Sequence, residues 1–127
     1  MKLEILNDPQ EYRRIHQRVF NRTDFKVPPV VIVGRNDNGD IVGFISGFWN
    51  NDDSFYIQFA GVLPEYQKGP YLRYLSNCLD NNTNYDMAVE NTNTVTLKTV
   101  LSIGFIPIGY MSQEDKNFVM LKRKKHG

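Results

Sequence analysis

Val62-Leu63-Pro64-Glu65-Tyr66-Gln67-Lys68-Gly69 joins a run of strand character to a run of helical spacing. Ahead of it, residues 54–62 are rich in aromatic and β-branched side chains; behind it, residues 70–79 carry Leu72, Leu75 and Leu79 on one stripe. Pro70 suits a first helical turn. A strand that enters a basic, glycine-containing turn and then a helix N-terminus converges unpaired amides and the positive end of the helix dipole on one point. Such a corner predicts an anion site, with pyrophosphate as its natural guest.

Working outward, residues 3–6 read as a first strand. Asp8-Pro9-Gln10-Glu11 reads as a helix start, with Asp8 as N-cap and Glu11 closing a capping box. That helix is expected to reach Phe20, burying Tyr12, Ile15, Val19 and Phe20 and turning Arg13, Arg14, Gln17 and Arg18 to water. Residues 21–29 form a polar connection ending in Pro28-Pro29, short for a second full helix. Residues 30–33 and 41–49 are strands joined through a hairpin in which Asn38-Gly39 is expected to supply positive φ angles. Residues 54–62 alternate, with Phe55, Ile57 and Phe59 on one face and Tyr56, Gln58 and Ala60 on the other. After the helix at 70–79 come a strand at 85–90, a helix striped by Leu97, Val100 and Leu101 up to Gly104, and a terminal hairpin of strands 105–111 and 118–122. The order β-α-β-β-β-α-β-α-β-β is that of a mixed α/β fold.

Composition narrows the classes. The 127 residues suit one domain, 1–127 with a basic tail at 123–127; 41% are hydrophobic and 23% charged, as in an ordinary globular protein. A net charge of +1 gives no global reason to expect nucleic acid or acidic lipid as a partner. The basic run Lys122-Arg123-Lys124-Lys125-His126 reads as a frayed soluble end, with no aromatic or further basic patch beside it. No stretch is long enough for a membrane span, and Met1-Lys2-Leu3-Glu4 lacks a signal peptide's apolar core, so a soluble, cytoplasmic protein is expected. The single cysteine, Cys78, excludes an internal disulfide and reads as a packing residue; with His16 and His126 as the only histidines, a metal site is not expected.

From Leu3 to Lys122 the order of elements and two local motifs resemble the GNAT superfamily of acyl-CoA-dependent N-acetyltransferases. The first motif is the strand, V-x-P turn and helix over residues 62–79; the second is Asn93 followed eleven residues later by Gly104-Phe105. The resemblance implies a central mixed sheet of about seven strands with two splayed parallel strands, here 55–62 and 85–90, and three to four flanking helices. It implies acetyl-CoA (or CoA) as cofactor. Backbone groups of Gly61, Val62 and Leu63 would pair with the pantetheine arm; Gln67, Lys68, Gly69, Tyr71 and Leu72 would form the pyrophosphate loop; Asn93 would reach the pantetheine from the other side. A backbone N–H near Ala60-Gly61 would polarise the thioester carbonyl and stabilise the oxyanion that follows.

The chain departs from the family's pattern twice. Its loop reads Gln67-Lys68-Gly69-Pro70-Tyr71-Leu72, one residue shorter than usual, with Tyr71 near a position where a small residue lets backbone approach phosphate, and with Pro70 removing one amide. Val100 stands seven residues after Asn93, where many members carry a tyrosine acid. Because thiolate is a good leaving group, that absence slows such a reaction without abolishing it. Among bases for the attacking amine, Glu90 is the best-placed carboxylate, with Tyr56 and Gln58 as water-orienting alternatives.

Two functions follow. One is a small N-acetyltransferase that passes acetyl from acetyl-CoA to an amine, small molecule or protein, entering from residues 21–29. The other is a catalytically inactive GNAT-fold binding or structural protein. The segment from Asn93 to Phe105 is similar to GNAT-like proteins of short-tailed phages, some of them virion components, so a homodimer or a virion assembly and a virion location accompany that second reading.

Overall fold

The computed structural model describes residues 2–67, 69–70 and 79–125. Its elements are β1 (Lys2–Ile5), α1 (Pro9–Phe20), β2 (Val30–Arg35), β3 (Ile41–Asn51), β4 (Ser54–Val62), a 3-10 turn (Pro64–Tyr66), β5 (Asn84–Glu90), α2 (Thr94–Ser102), β6 (Ile106–Gln113) and β7 (Lys116–Arg123). The seven strands hydrogen-bond in the order β1-β2-β3-β4-β5-β7-β6. β4 and β5 run parallel, whereas β1–β2, β2–β3, β5–β7 and β6–β7 are antiparallel, so the sheet is mixed as the sequence predicts. The parallel ladder comprises four partner pairs, from Ser54↔Asn84 to Ile57↔Met87. It stops there although β4 continues to Val62 and β5 to Glu90.

By packing, the chain forms two compact units: Met1–Phe48 with Gln58–Cys78, and Trp49–Ile57 with Leu79–Gly127. In the first, Tyr12, Ile15, Val31, Val33, Phe44 and Leu63 make the buried core, with Val19, Phe25, Val27 and Phe59 packed against it. α1 starts where Asp8 accepts from the amides of Gln10 (3.0 Å) and Glu11 (3.2 Å), a cap worth about 1 kcal/mol. It ends at Asn21, whose left-handed backbone (φ 54°) lets its N–H reach the Gln17 carbonyl at 2.7 Å. Glu11 does not complete a capping box in this arrangement, because its carboxylate is engaged by Arg14 one turn on.

α1 lies close against β4. A Cβ built on Gly61 would fall inside the van der Waals shell of Val19 Cγ1, so only hydrogen fits there. The buried face is Tyr12, Ile15 and His16; Phe20 is 37% exposed. The sequence reading assigned Phe20 to that face and left His16 out, a difference traced below to a polar partner.

In the second unit β5 alternates, burying Tyr85, Met87 and Val89, and pairs with β7 through six residues from Tyr85↔Arg123 to Glu90↔Phe118. Phe55 sits edge-on to Trp49 (5.1 Å) and to Tyr85 (6.2 Å). Asp53 anchors the strand start: its carbonyl accepts from Asn84 N at 2.7 Å and its carboxylate takes Lys125 Nζ at 2.7 Å.

Three expectations are corrected. Two α-helices stand among the described residues rather than three to four: the connection at 21–29 holds none, as its length predicts, and residues 71–78 of the helix expected at 70–79 lie outside the described residues. In the β2–β3 hairpin Gly39 (φ 83°) takes the positive φ and Asn38 does not, because Asn36 Oδ1 already holds the turn through the amides of Asn38 and Asp40, both at 3.0 Å. In the last hairpin the strands close to a two-residue tip, Glu114 (φ 51°) and Asp115 (φ 64°), both left-handed.

Gly61→Ala is expected to lower stability by about 1–3 kcal/mol through overpacking against Val19. Adding Val19→Ala should return part of that loss, a non-additivity that urea titration of the four corners of the double-mutant cycle reads directly.

Candidate functional site

The turn singled out in the sequence begins where β4 leaves the sheet. Leu63 N–H donates to Val42 O at 2.9 Å and buries its side chain, which ties the turn's first residue to β3. Pro64 then sets the 3-10 turn, in which Tyr66 N–H reaches Leu63 O (2.9 Å) and Gln67 N–H reaches Pro64 O (3.4 Å); Gly69 N–H follows to Tyr66 O (3.2 Å). The amides of Leu63, Tyr66, Gln67 and Gly69 thus donate within the chain. The Gln67 side chain folds back, its Nε2 donating to Val62 O at 3.0 Å. Gly61, Val62, Leu63, Gln67 and Gly69 are therefore brought together in one corner of the first unit. Lys68, Tyr71, Leu72 and Cys78 lie outside the described residues.

Gln58 is exposed on β4, one residue past the last β5 pair. Tyr56, in the second unit, stands at the register position of Asp86. Burial first, then the Asp86 charge, push its phenol up, so it is a proton donor at neutral pH. Asp86 itself accepts from Ser54 Oγ at 3.3 Å and faces Lys122 Nζ at 3.7 Å. Glu90 closes β5, its carbonyl accepting from Asn93 N at 2.9 Å. Asn93 is the N-cap of α2: its Oδ1 accepts from Thr96 N at 3.2 Å and its carbonyl from Leu97 N at 3.1 Å. Val100 is core.

Sequence reasoning missed a buried polar chain in the first unit. Tyr12 Oη lies 3.0 Å from His16 Nδ1 and 2.9 Å from Ser46 Oγ, and Ser46 Oγ–H donates to Phe59 O at 3.3 Å. Tyr12, His16 and Ser46 are all at most 2% exposed. The His16 ring stacks on Phe25 at 3.7 Å and meets Phe59 edge-on at 4.7 Å, so an aromatic shell surrounds the polar atoms. Burial, helped by the Arg22 charge, lowers His16 from 6.5 to about 4, and burial pushes Tyr12 up to about 12 against a smaller opposing effect of Ser46. Both are neutral at pH 7. The signal available in the sequence was the i, i+4 spacing of Tyr12 and His16, which puts the two rings on one helix face.

An open cleft of about 390 Å³ lies beside α1 and the 3-10 turn, lined by Glu11, Arg18, Arg35, Asp40, Glu65 and Tyr66 among others. Its arginines are engaged: Arg18 by Glu65, and Arg35 by Glu4 and by Gly39 O at 2.8 Å. Among the described residues no group of three or more His, Cys, Asp or Glu is arranged to hold a metal ion, and no helix is long and apolar enough to cross a membrane.

No protein-family model matches the sequence. No curated protein matches it either. Solved structures do. A chimera of the spermidine N-acetyltransferase SpeG from Vibrio cholerae and hSSAT is similar over 97% of this chain and 94% of that one, with 15% identity and a TM-score of 0.80. Ard1 from Thermoplasma volcanium follows at 17% identity, 99% and 98% coverage and TM-score 0.75. A GNAT-family acetyltransferase from Bacillus cereus is covered 100% in both directions at 17% identity, with TM-score 0.71. At these identities the likeness shows the fold, which is that of the GNAT N-acetyltransferases.

Two predictions follow from this geometry. Asn93→Ala should cost about 1 kcal/mol by unfastening α2, while Asn93→Asp and Asn93→Ser keep most of it; thermal unfolding separates them. His16 binds its proton less readily folded than unfolded, so stability is full above pH 6.5 and falls as pH drops toward 4, by about 3 kcal/mol when complete. Urea midpoints measured from pH 8 to pH 5 should show that decline, and His16→Gln should flatten it.

Proposed function

We propose that the protein is a small acyl-CoA-dependent N-acetyltransferase that moves acetyl from acetyl-CoA to an amine. The observation that carries this reading is the early end of the β4–β5 ladder at Ile57↔Met87, in a chain whose fold matches N-acetyltransferases over nearly its full length. Beyond that pair, β4 from Gln58 to Val62 offers main-chain groups along which a pantetheine arm can lie in strand-like fashion. The small residues Ala60 and Gly61 occupy this stretch, so backbone can approach a thioester without a bulky side chain intervening.

Acetyl-CoA, when bound, supplies an activated acyl group. The chain's share is to hold it, to place an amide opposite the carbonyl oxygen where negative charge develops, and to take a proton from the amine. The Ala60 N–H suits the second task. Glu90 suits the third, with Tyr56 or Gln58 orienting a water, and the raised Tyr56 phenol also stands as a proton source for the departing thiolate now that Val100 provides none. Lys68 supplies the positive charge for the diphosphate, assisted by Gly69. The amine acceptor, the cytoplasmic setting and any assembly belong to this same proposal.

One observation favours a second reading, a non-catalytic binding or structural module, such as a phage virion component. Four amides of the turn that would cradle the diphosphate donate inside the chain.

Calorimetric titration with acetyl-CoA, paired with detection of free thiol in the presence of amine panels, tests both. Micromolar binding, weakened at least tenfold by Gly69→Glu, with thiol release that needs the amine, is the expected result. Binding without release identifies the module. Absence of binding at millimolar acetyl-CoA overturns the acyltransferase reading.

A further inference from the structure

Three polar side chains are buried in the aromatic core of the first unit, and their hydrogen bonds run in one direction to a main-chain atom of β4. Ser46 Oγ–H has one proton and gives it to Phe59 O. Ser46 Oγ therefore accepts from Tyr12 Oη–H, whose proton is then used, so the Tyr12 oxygen in turn accepts from His16 Nδ1–H. The chain His16→Tyr12→Ser46→Phe59 O satisfies each of the buried atoms named, and no buried side-chain nitrogen or oxygen among the described residues lacks a partner. A core filled with Phe and Val would need none of this; a fully satisfied buried network rigidifies the groups that it joins, here down to its common end.

That end is the Phe59–Ala60 peptide. Phe59 is two residues past the last pair of the β4–β5 ladder, so β5 does not hold this stretch in register. The described chain contains no cis peptide, and in a trans peptide the N–H points opposite to the C=O of the same plane. Fixing Phe59 O toward Ser46 of β3 therefore fixes Ala60 N–H in the opposite direction, away from β3.

We propose that Ser46 and Tyr12 are positioning residues for acyl transfer, which aim the Ala60 amide at the thioester carbonyl by clamping the Phe59 carbonyl. The proposal rests on the acyltransferase reading above for its functional half, and on hydrogen-bond geometry alone for its structural half. Ser46 grips the peptide directly, and Tyr12 acts by orienting Ser46. Its loss leaves the serine free to keep donating, so the two deletions differ in size.

The test compares Ser46→Ala and Tyr12→Phe with the wild type, and with Val33→Ala as a variant of the same core that makes none of the chain's hydrogen bonds. Ser46→Ala is expected to lower kcat at least tenfold with KM for acetyl-CoA changed less than twofold, and Tyr12→Phe to lower it by a smaller factor. The ¹⁵N and ¹H shifts of the Ala60 amide should move in both variants, more in Ser46→Ala, and its exchange with solvent should quicken. Val33→Ala should lose stability while leaving kcat and the Ala60 shifts in place. Unchanged Ala60 shifts in Ser46→Ala, or a kcat loss equal to that of Val33→Ala, overturns the proposal. Should Ser46→Ala fail to fold, Tyr12→Phe decides by the same two readouts. If the wild type proves inactive, the acyltransferase reading falls, while the Ala60 amide measurements still decide whether the clamp exists.

Discussion

Residue 61 has no side chain, and α1 occupies the place where one would be. This close approach is the constraint from which much of the first unit follows. It brings the helix near enough to β4 for Tyr12 to meet Ser46 on β3, and for Ser46 to meet the carbonyl of Phe59 on β4. It also sets the depth at which His16 lies among Phe20, Phe25, Phe44 and Phe59. Dispersion and apolar burial hold the layer together, but neither has direction. The hydroxyl chain adds it.

β4 is the element on which both units draw. Its first half is zipped to β5 and sealed by Phe55 against Trp49 and Tyr85; its second half is held by Val19 of α1 over Gly61 and by Ser46 of β3 on Phe59. A strand that loses one neighbour partway along needs a substitute for the missing ladder. Here that substitute is a side-chain hydrogen bond from Ser46 of the neighbouring strand β3, together with the Leu63–Val42 bond at the strand's end.

Much of the fold was legible because its signals are local. Alternation in β4, the Asp8 cap, the Asn93 cap and the Gly104 stop each depend on a few neighbouring residues, and the described elements follow the predicted order. The site was harder to read. Residue spacing shows that a turn follows β4, yet not that Leu63, Tyr66, Gln67 and Gly69 would spend their amides inside the chain, since that depends on how tightly Pro64 winds it. Nor does a helical wheel show that His16 would displace Phe20 from the buried face. The polar partner that makes a buried histidine tolerable, Ser46 through Tyr12, comes from a strand thirty residues away and is invisible to local pattern.

The hairpin of β6 and β7 closes on Glu114 and Asp115, two residues with side chains in a backbone region that suits glycine. Each sits there at a cost on the order of 1 kcal/mol, offset in part because a two-residue turn of this kind matches the twist of the strands that it joins. The register from Gln113↔Lys116 back to Ile106↔Lys122 must supply the difference. The tip thus holds its shape through the stem that pairs on either side of it, and what frays the outer strand removes the support for two left-handed residues at once.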